Sequence, residues 1–198
     1  MKKLLLIGLL LVIAGCGIKT HIDSNKSPDF SEKITKLYIL VKQSDSSKPF
    51  LYPFVTNFET ELTAKGIAFE EYYMDPLSLE SEEDIQKKIQ DYGPNTVMII
   101  SQSESRITHS SHTNSGFGSG FNNGYGGFGG SSSGRTISGG TFDIKIFKPA
   151  GKNPVWRANL SADTPSGIKK AVKKANEIFI EKLISDKLID GPALNQSK

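Results

Sequence analysis

One cysteine, a close pair of histidines, a run of acids and a glycine-rich tract are the features of this 198-residue chain whose types and spacing could do chemistry. His109 and His112 stand three apart with Glu104 nearby. A zinc site normally takes three or four protein ligands, so the pair reads as incidental loop histidines. Glu82, Glu83 and Asp84 follow Ser81. They could hold a hard cation, but an acidic first turn after an N-cap serine is stabilised by the helix dipole and needs no metal. Gly124-Tyr125-Gly126-Gly127-Phe128-Gly129 spells G-x-G-x-x-G. A dinucleotide fingerprint also needs a strand before it and a helix opening on it, whereas here glycines surround the string and a strand follows. No Gly-Lys-Ser/Thr closes a glycine run, which excludes a phosphate-cradling P-loop. Serines abound, yet no nucleophile–histidine–acid set stands out among them. No catalytic residue, cofactor or metal ligand is therefore assigned.

The cysteine is a different matter. Met1–Gly17 reads MKKLLLIGLLLVIAGCG: two lysines, an apolar run over Leu4–Ile13, then small residues ending at Cys16. That is the plan of a secretory signal. The run is about half of what a helix needs to span a ~30 Å hydrocarbon core, so it is not expected to stay as a transmembrane anchor. Val12-Ile13-Ala14-Gly15-Cys16 resembles the lipobox of bacterial lipoproteins. The resemblance implies cleavage between Gly15 and Cys16, a diacylglyceryl thioether on Cys16 and acylation of the new amino terminus. An ordinary signal peptide would leave an unpaired thiol in an exported chain. Several acyl chains hold far more firmly than one. Gly17 stands where an aspartate would resemble an inner-membrane retention signal, so the expected address is the outer membrane, on its periplasmic face.

Removing residues 1–15 leaves 183 residues, enough for one domain with a hydrophobic core. It also removes Lys2 and Lys3, taking Lys+Arg from 24 to 22 against 21 Asp+Glu. The mature chain is then nearly neutral, and general electrostatic binding to nucleic acid is not expected.

The elements that must position any site follow in order. Residues 16–34 read as a lipidated tether, polar over Gly17–Pro28 and able to reach ~40 Å extended. Lys36–Lys42 is apolar on both faces and predicts a central strand. Pro49 opens a helix whose Phe50, Phe54 and Phe58 recur at core spacing, and Gly66 stops it. Ile67–Tyr73 predicts a second strand closed by Asp75-Pro76, and Ser81 caps a helix burying Ile85, Ile89 and Tyr92 before Gly93. Thr96–Gln102 predicts a third strand, parallel to the first two by right-handed crossovers. Thr141–Lys148 and Val155–Ser161 predict an antiparallel hairpin, with Trp156, Ala158 and Leu160 on one face. A last helix capped by Thr164 carries an apolar stripe from Ile168 to Leu183, with Lys169, Lys170, Lys173 and Lys174 on its other side. That basic face could touch anionic lipid, although Glu177 and Glu181 beside it suit a solvated helix.

The expected fold is thus one α/β domain over residues 35–190, in the order β-α-β-α-β-β-β-α, with a mixed sheet and a tail at 191–198. Within it, residues 110–140 read as a flexible insertion rich in glycine and serine, bearing Phe117, Phe121, Tyr125 and Phe128. It is either a partner-binding or self-associating loop, or a tolerated hairpin insertion.

Gly140-Thr-Phe-Asp-Ile-Lys-Ile-Phe, a turn, Pro154-Val-Trp-Arg-Ala and the amphipathic terminal helix are similar to a family of Gram-negative envelope lipoproteins known only as a domain of unknown function. Its members pair a lipobox with a strand–helix–strand start and a strand ending in Val-Trp-Arg-Gly; Ala158 stands here in the glycine's place. The resemblance implies location and fold and carries no catalytic residues. The expected function is a non-catalytic, lipid-anchored binding or accessory module, its partners membrane lipid through acylated Cys16 and another envelope protein. Two alternatives are a periplasmic hydrolase or metal-dependent enzyme with a scattered site, and an adhesive protein assembling through the glycine segment.

Overall fold

A computed structural model describes residues 20–74, 77–110, 135–164 and 167–191, with the backbone alone at 105–110 and 135–138. Among these residues six strands form one mixed sheet in the order β1-β6-β5-β4-β2-β3. They are β1 (Thr20–Lys26), β2 (Lys36–Lys42), β3 (Ala68–Met74), β4 (Thr96–Ser110), β5 (Arg135–Phe147) and β6 (Trp156–Asp163). Three helices complete the described fold: α1 (Lys48–Ala64), α2 (Glu82–Tyr92) and α3 (Ile168–Ser185). The predicted α/β order is present, preceded by one strand that the sequence reading did not contain.

β2 pairs in parallel with both β3 and β4, as the short βαβ links require. β4, β5 and β6 then pair antiparallel, and β1 closes the other edge against β6, Ile22 opposite Leu160. Two apolar clusters lie on opposite faces. The larger seats Leu37, Ile39, Val41, Met98, Ile100, Phe142, Ile144, Trp156 and Leu160 under α1 and α3. Phe50, Phe54 and Phe58 of α1 point into it, and Phe58 meets Phe179 of α3 edge to face at 5.1 Å. The smaller cluster packs Ile85 and Ile89 of α2 on Tyr38, Leu40 and Val97.

Local chemistry explains the helix ends. Ser81 and Asp84 form a reciprocal capping box, and Gly93 ends α2 in the left-handed conformation at φ +63°. The acidic trio is thus the first turn of a capped helix. α3 begins later than expected: its N-cap is Gly167, whose amide bonds back to the Thr164 carbonyl, and Pro165 lies outside the described residues, as does the Asp75-Pro76 turn.

Two expectations need correction. The polar stretch read as part of a tether contains β1, whose seven residues pair in register along β6. One ladder of backbone hydrogen bonds, together with Ile22 packed against the larger cluster, holds a segment that shows little apolar alternation. The insertion read over 110–140 is narrower than expected. β4 and β5 stay paired from Val97 opposite Phe147 out to Ser110 opposite Arg135, with a bulge between Gln102 and Glu104. A Cβ on Gly139 would meet Asp163 Oδ1 at 2.6 Å, and one on Gly140 would meet Glu104 O at 3.2 Å, so these glycines permit close approach of strands beside the bulge. Residues 111–134 lie outside the described residues.

Candidate functional site: the open half of the sheet

α2 covers one half of its face of the sheet, over β2, β3 and β4. The strands β1, β6 and β5 continue that face beyond it, and among the described residues no helix packs there. Strand alternation sends their apolar side chains to the larger core and their polar ones outward. Cross-strand register lines the polar residues into rows. One row runs Asp23, Asn159, Asp143, Ser101; the next runs Asn25, Arg157, Lys145. Asp23, Asn25, Arg157 and Asn159 are exposed, and Asp143 and Lys145 are half-buried. The rows border a shallow concavity of about 400 Å³ lined by Asp23, Asn25, Ser103, Asp143, Arg157 and Asn159.

Its charges are balanced and partly engaged. Lys145 Nζ lies 2.5 Å from Asp143 Oδ2, and His21 Nε2 lies 3.0 Å from Asp23 Oδ1. Ser103 donates to the Thr141 carbonyl at 3.1 Å, and the Thr141 and Ser161 hydroxyls are 3.3 Å apart. His21 and Ser161 are cross-strand partners, which puts a hydroxyl, an imidazole and a carboxylate on neighbouring positions. The His21 and Asp23 side chains are 72% and 77% exposed, however, so the pair is hydrated at the sheet edge. Alternating donors and acceptors at strand spacing suit a hydrogen-bonding ligand or the polar surface of a partner.

A second concavity of about 570 Å³ lies between α1 and α3, lined by Asn57, Thr60, Glu61, Lys173, Asn176 and Glu177 among others. Asn176 Nδ2 donates to the Phe54 and Val172 carbonyls at 3.1 and 3.3 Å, leaving its buried Oδ1 without a partner. This amide ties the two helices together.

The ionisable groups that the fold perturbs lie elsewhere. Burial pushes Glu59 of α1 up to about 7, helped by the neighbouring Glu71 carboxylate of β3, and its Oε1 has no hydrogen-bond partner. Tyr73 is raised by burial and by the same two carboxylates. Burial also acts to raise Asp186, but hydrogen bonds from Ser24, Trp156 and Lys182 outweigh it and hold the carboxyl below its ordinary range.

The residues singled out by sequence do not converge. Gly15, Cys16, His112 and the aromatics Phe117, Phe121, Tyr125 and Phe128 lie outside the described residues. His109 sits on β4 opposite Thr136, where the backbone alone is described, and Glu104 is exposed near the bulge. Among the described residues no three histidine, cysteine, aspartate or glutamate side chains gather as metal ligands, and no helix is long and apolar enough to cross a membrane. The open half-sheet escaped the sequence reading in part: Asp143 and Lys145 were legible as the outward face of β5, whereas Asp23 and Asn25 lay in the supposed tether.

No known protein family matches the chain, and no curated protein does. Solved structures do resemble it. The PelC dodecamer from Paraburkholderia phytofirmans is 11% identical, covers 87% of this chain and 100% of its own, and superposes with a TM-score of 0.50. A point variant of that dodecamer gives 10% identity, 81% and 96% coverage and 0.49. Lipoprotein GNA1162 from Neisseria meningitidis gives 9%, 76% and 99%, and 0.40. At such identities the first likeness is one of fold, and the lower scores of the others add nothing to it. The chain is an α/β domain on a single six-stranded mixed sheet, a fold it shares with PelC.

Proposed function

We propose that this chain is a non-catalytic lipoprotein of the bacterial envelope, anchored in the outer membrane by acylated Cys16 and binding another envelope protein through its open half-sheet. The lipobox and the basic–apolar–small order of residues 1–16 support the anchor. The observation that carries the binding role is the row of Asp23, Asn159 and Asp143 beside Asn25, Arg157 and Lys145, over which no helix lies among the described residues. A face that alternates donors, acceptors and both charges is a surface for specific polar contacts. PelC from Paraburkholderia phytofirmans forms a dodecamer, so a second copy of this chain is one form the partner takes under this reading.

In-cell crosslinking tests it. A photo-reactive residue at Arg157 is expected to yield a discrete adduct in intact cells, while one at Glu83 on α2 yields none. Cys16→Ala is expected to leave the precursor unprocessed and to abolish sedimentation with outer membranes. Adducts of equal strength at both positions, or none at Arg157, overturn the binding face. Normal processing and sedimentation of the Cys16 variant overturn the anchor.

A further inference from the structure

The sheet has two unlike ends, and the register shows which one the chain's beginning enters. β1 starts at Thr20 opposite Ala162, so Thr20 lies at the end where β6 finishes at Asp163. α3 begins at Ile168, five residues after β6 ends at Asp163, and is therefore at the same end. Its far terminus, Asp186, is at the other end, where it accepts from Ser24 at 2.5 Å and from Trp156 at 2.8 Å. The β4–β5 ribbon leaves by the first end as well. β5 loses its β6 partner before Gly139 but stays paired with β4 to Arg135, about 13 Å further at strand rise.

Three residues, Gly17, Ile18 and Lys19, separate Cys16 from Thr20, four Cα steps with a reach of at most ~14 Å. This is far shorter than a tether running to residue 34.

The lysines are distributed unequally between the ends. Lys169, Lys170, Lys173 and Lys174 are exposed on the first two turns of α3. Lys174 pairs with Glu177 at 3.3 Å, and among the described residues no carboxylate pairs with the other three. They also sit at the helix end where the dipole disfavours cations, and the first turn holds no acid, so helix stability does not account for them. At the opposite end three lysines are engaged, Lys148 with Glu32 at 2.6 Å, Lys33 with Asp190 and Lys26 with the Asp186 carbonyl at 2.8 Å, while Lys152 and Lys187 are exposed singly rather than as a cluster. Carboxylates do lie near the α3 corner: Glu61, Glu177 and Glu181 line the concavity beside Lys173, and Glu104 and Asp163 have contacts of their own, so the uncompensated charge is chiefly that of Lys169 and Lys170. Glu82 and Glu83 share that end, but they belong to α2, which is centred over β2, about four strand spacings or ~19 Å from β1.

We propose that the α3 corner of the domain, bearing Lys169, Lys170, Lys173 and Lys174, docks on the phosphate-bearing headgroups of the leaflet that holds the Cys16 lipid. Attachment at the β1 edge tilts the domain so that the lysines approach the surface and the Glu82–Glu83 corner is lifted from it. Attraction of this kind acts within a Debye length, about 10 Å at 0.1 M salt, and a link of at most ~14 Å lets the corner come within that range without enforcing it. The inference rests on the lipid-anchor reading.

The experiment uses the full lipidated chain in phosphatidylethanolamine–phosphatidylglycerol vesicles carrying a headgroup quencher. Cys16 bears the lipid, so Lys170→Cys and Lys152→Cys each supply a unique thiol for a fluorophore; Lys152 is in the β5–β6 turn at the opposite end. Quenching is expected to be roughly twofold or more stronger at 170 than at 152, and the difference to shrink in phosphatidylcholine, at high salt, or with Lys169→Glu and Lys173→Glu together. Equal quenching, or stronger quenching at 152, in protein that floats with the vesicles overturns the orientation. A difference that persists unchanged in phosphatidylcholine overturns the role of the lysines. Protein that does not float overturns the anchor reading and this inference with it.

Discussion

Trp156 joins the core to the end of α3. Its ring is 1% exposed and tilts against Phe179 at 6.2 Å, and its Nε1 donates to Asp186 at 2.8 Å. Trp156→Ala should cost about 3–5 kcal/mol, as for a large aromatic lost from a core. Trp156→Phe keeps much of the apolar contact but removes one of the Asp186 donors, and should cost about 1–3 kcal/mol. Denaturant midpoints of the two variants measure both; an unmoved midpoint for the alanine variant would contradict the packing. Glu59 gives a pH signature. Its carboxyl titrates higher in the folded state than in the unfolded chain, so its contribution is complete below the ordinary glutamate range and is lost as pH rises through about 7. Stability of the native chain should therefore fall relative to Glu59→Gln between mildly acidic and neutral pH, by on the order of 1 kcal/mol for a group screened by solvent. Parallel pH profiles for the two proteins would contradict this.

The β4–β5 hairpin shows how an element can be longer than its apolar pattern. Alternation in β5 is clear from Phe142 to Ile146, but its backbone ladder with β4 runs well past the bulge at Gln102/Glu104. The pairing is therefore complete before residue 111 and after residue 134. Replacing residues 111–134 by a four- or five-residue turn should leave the domain folded and as stable, or more stable by under ~2 kcal/mol through lower closure entropy. Thermal unfolding checks it, and loss of a cooperative transition would mean that Phe117, Phe121, Tyr125 or Phe128 packs on the domain. If those aromatics act as stickers between chains, self-association should vanish at an unchanged thermal midpoint.

At the scale of the whole molecule, one sheet carries two cores of unequal size. α1 and α3 together cover one face, whereas α2 covers half of the other. The open half and the lysine corner of α3 both adjoin the β1 edge, which is where the chain enters. Under the proposed anchor at Cys16, attachment near Thr20 would bring the proposed binding face and the basic corner close to the membrane together. β1 also manages its own exposed edge: it is short and carries Asp23 and Lys26, features that discourage pairing with another strand.

The sequence by itself determined the elements with strong periodicity. Phe50, Phe54 and Phe58 at helical spacing, the Ser81–Asp84 box, the doubly apolar Lys36–Lys42 and the alternating Phe142–Ile146 each act through neighbours a few residues away, so their pattern is local. It likewise showed the lysines of α3 and the cysteine at position 16. The tertiary structure decided what depends on partners distant in the chain. β1 has a single aliphatic residue, Ile22, and becomes a strand because β6 presents an unpaired ladder. The reach of β4 and β5 past Glu104 rests on their mutual register. The open half-sheet exists because α2 lies over β2, β3 and β4 and, among the described residues, no helix lies over β5, β6 and β1; helix placement of that kind is set by packing across the sheet, which no local spacing encodes.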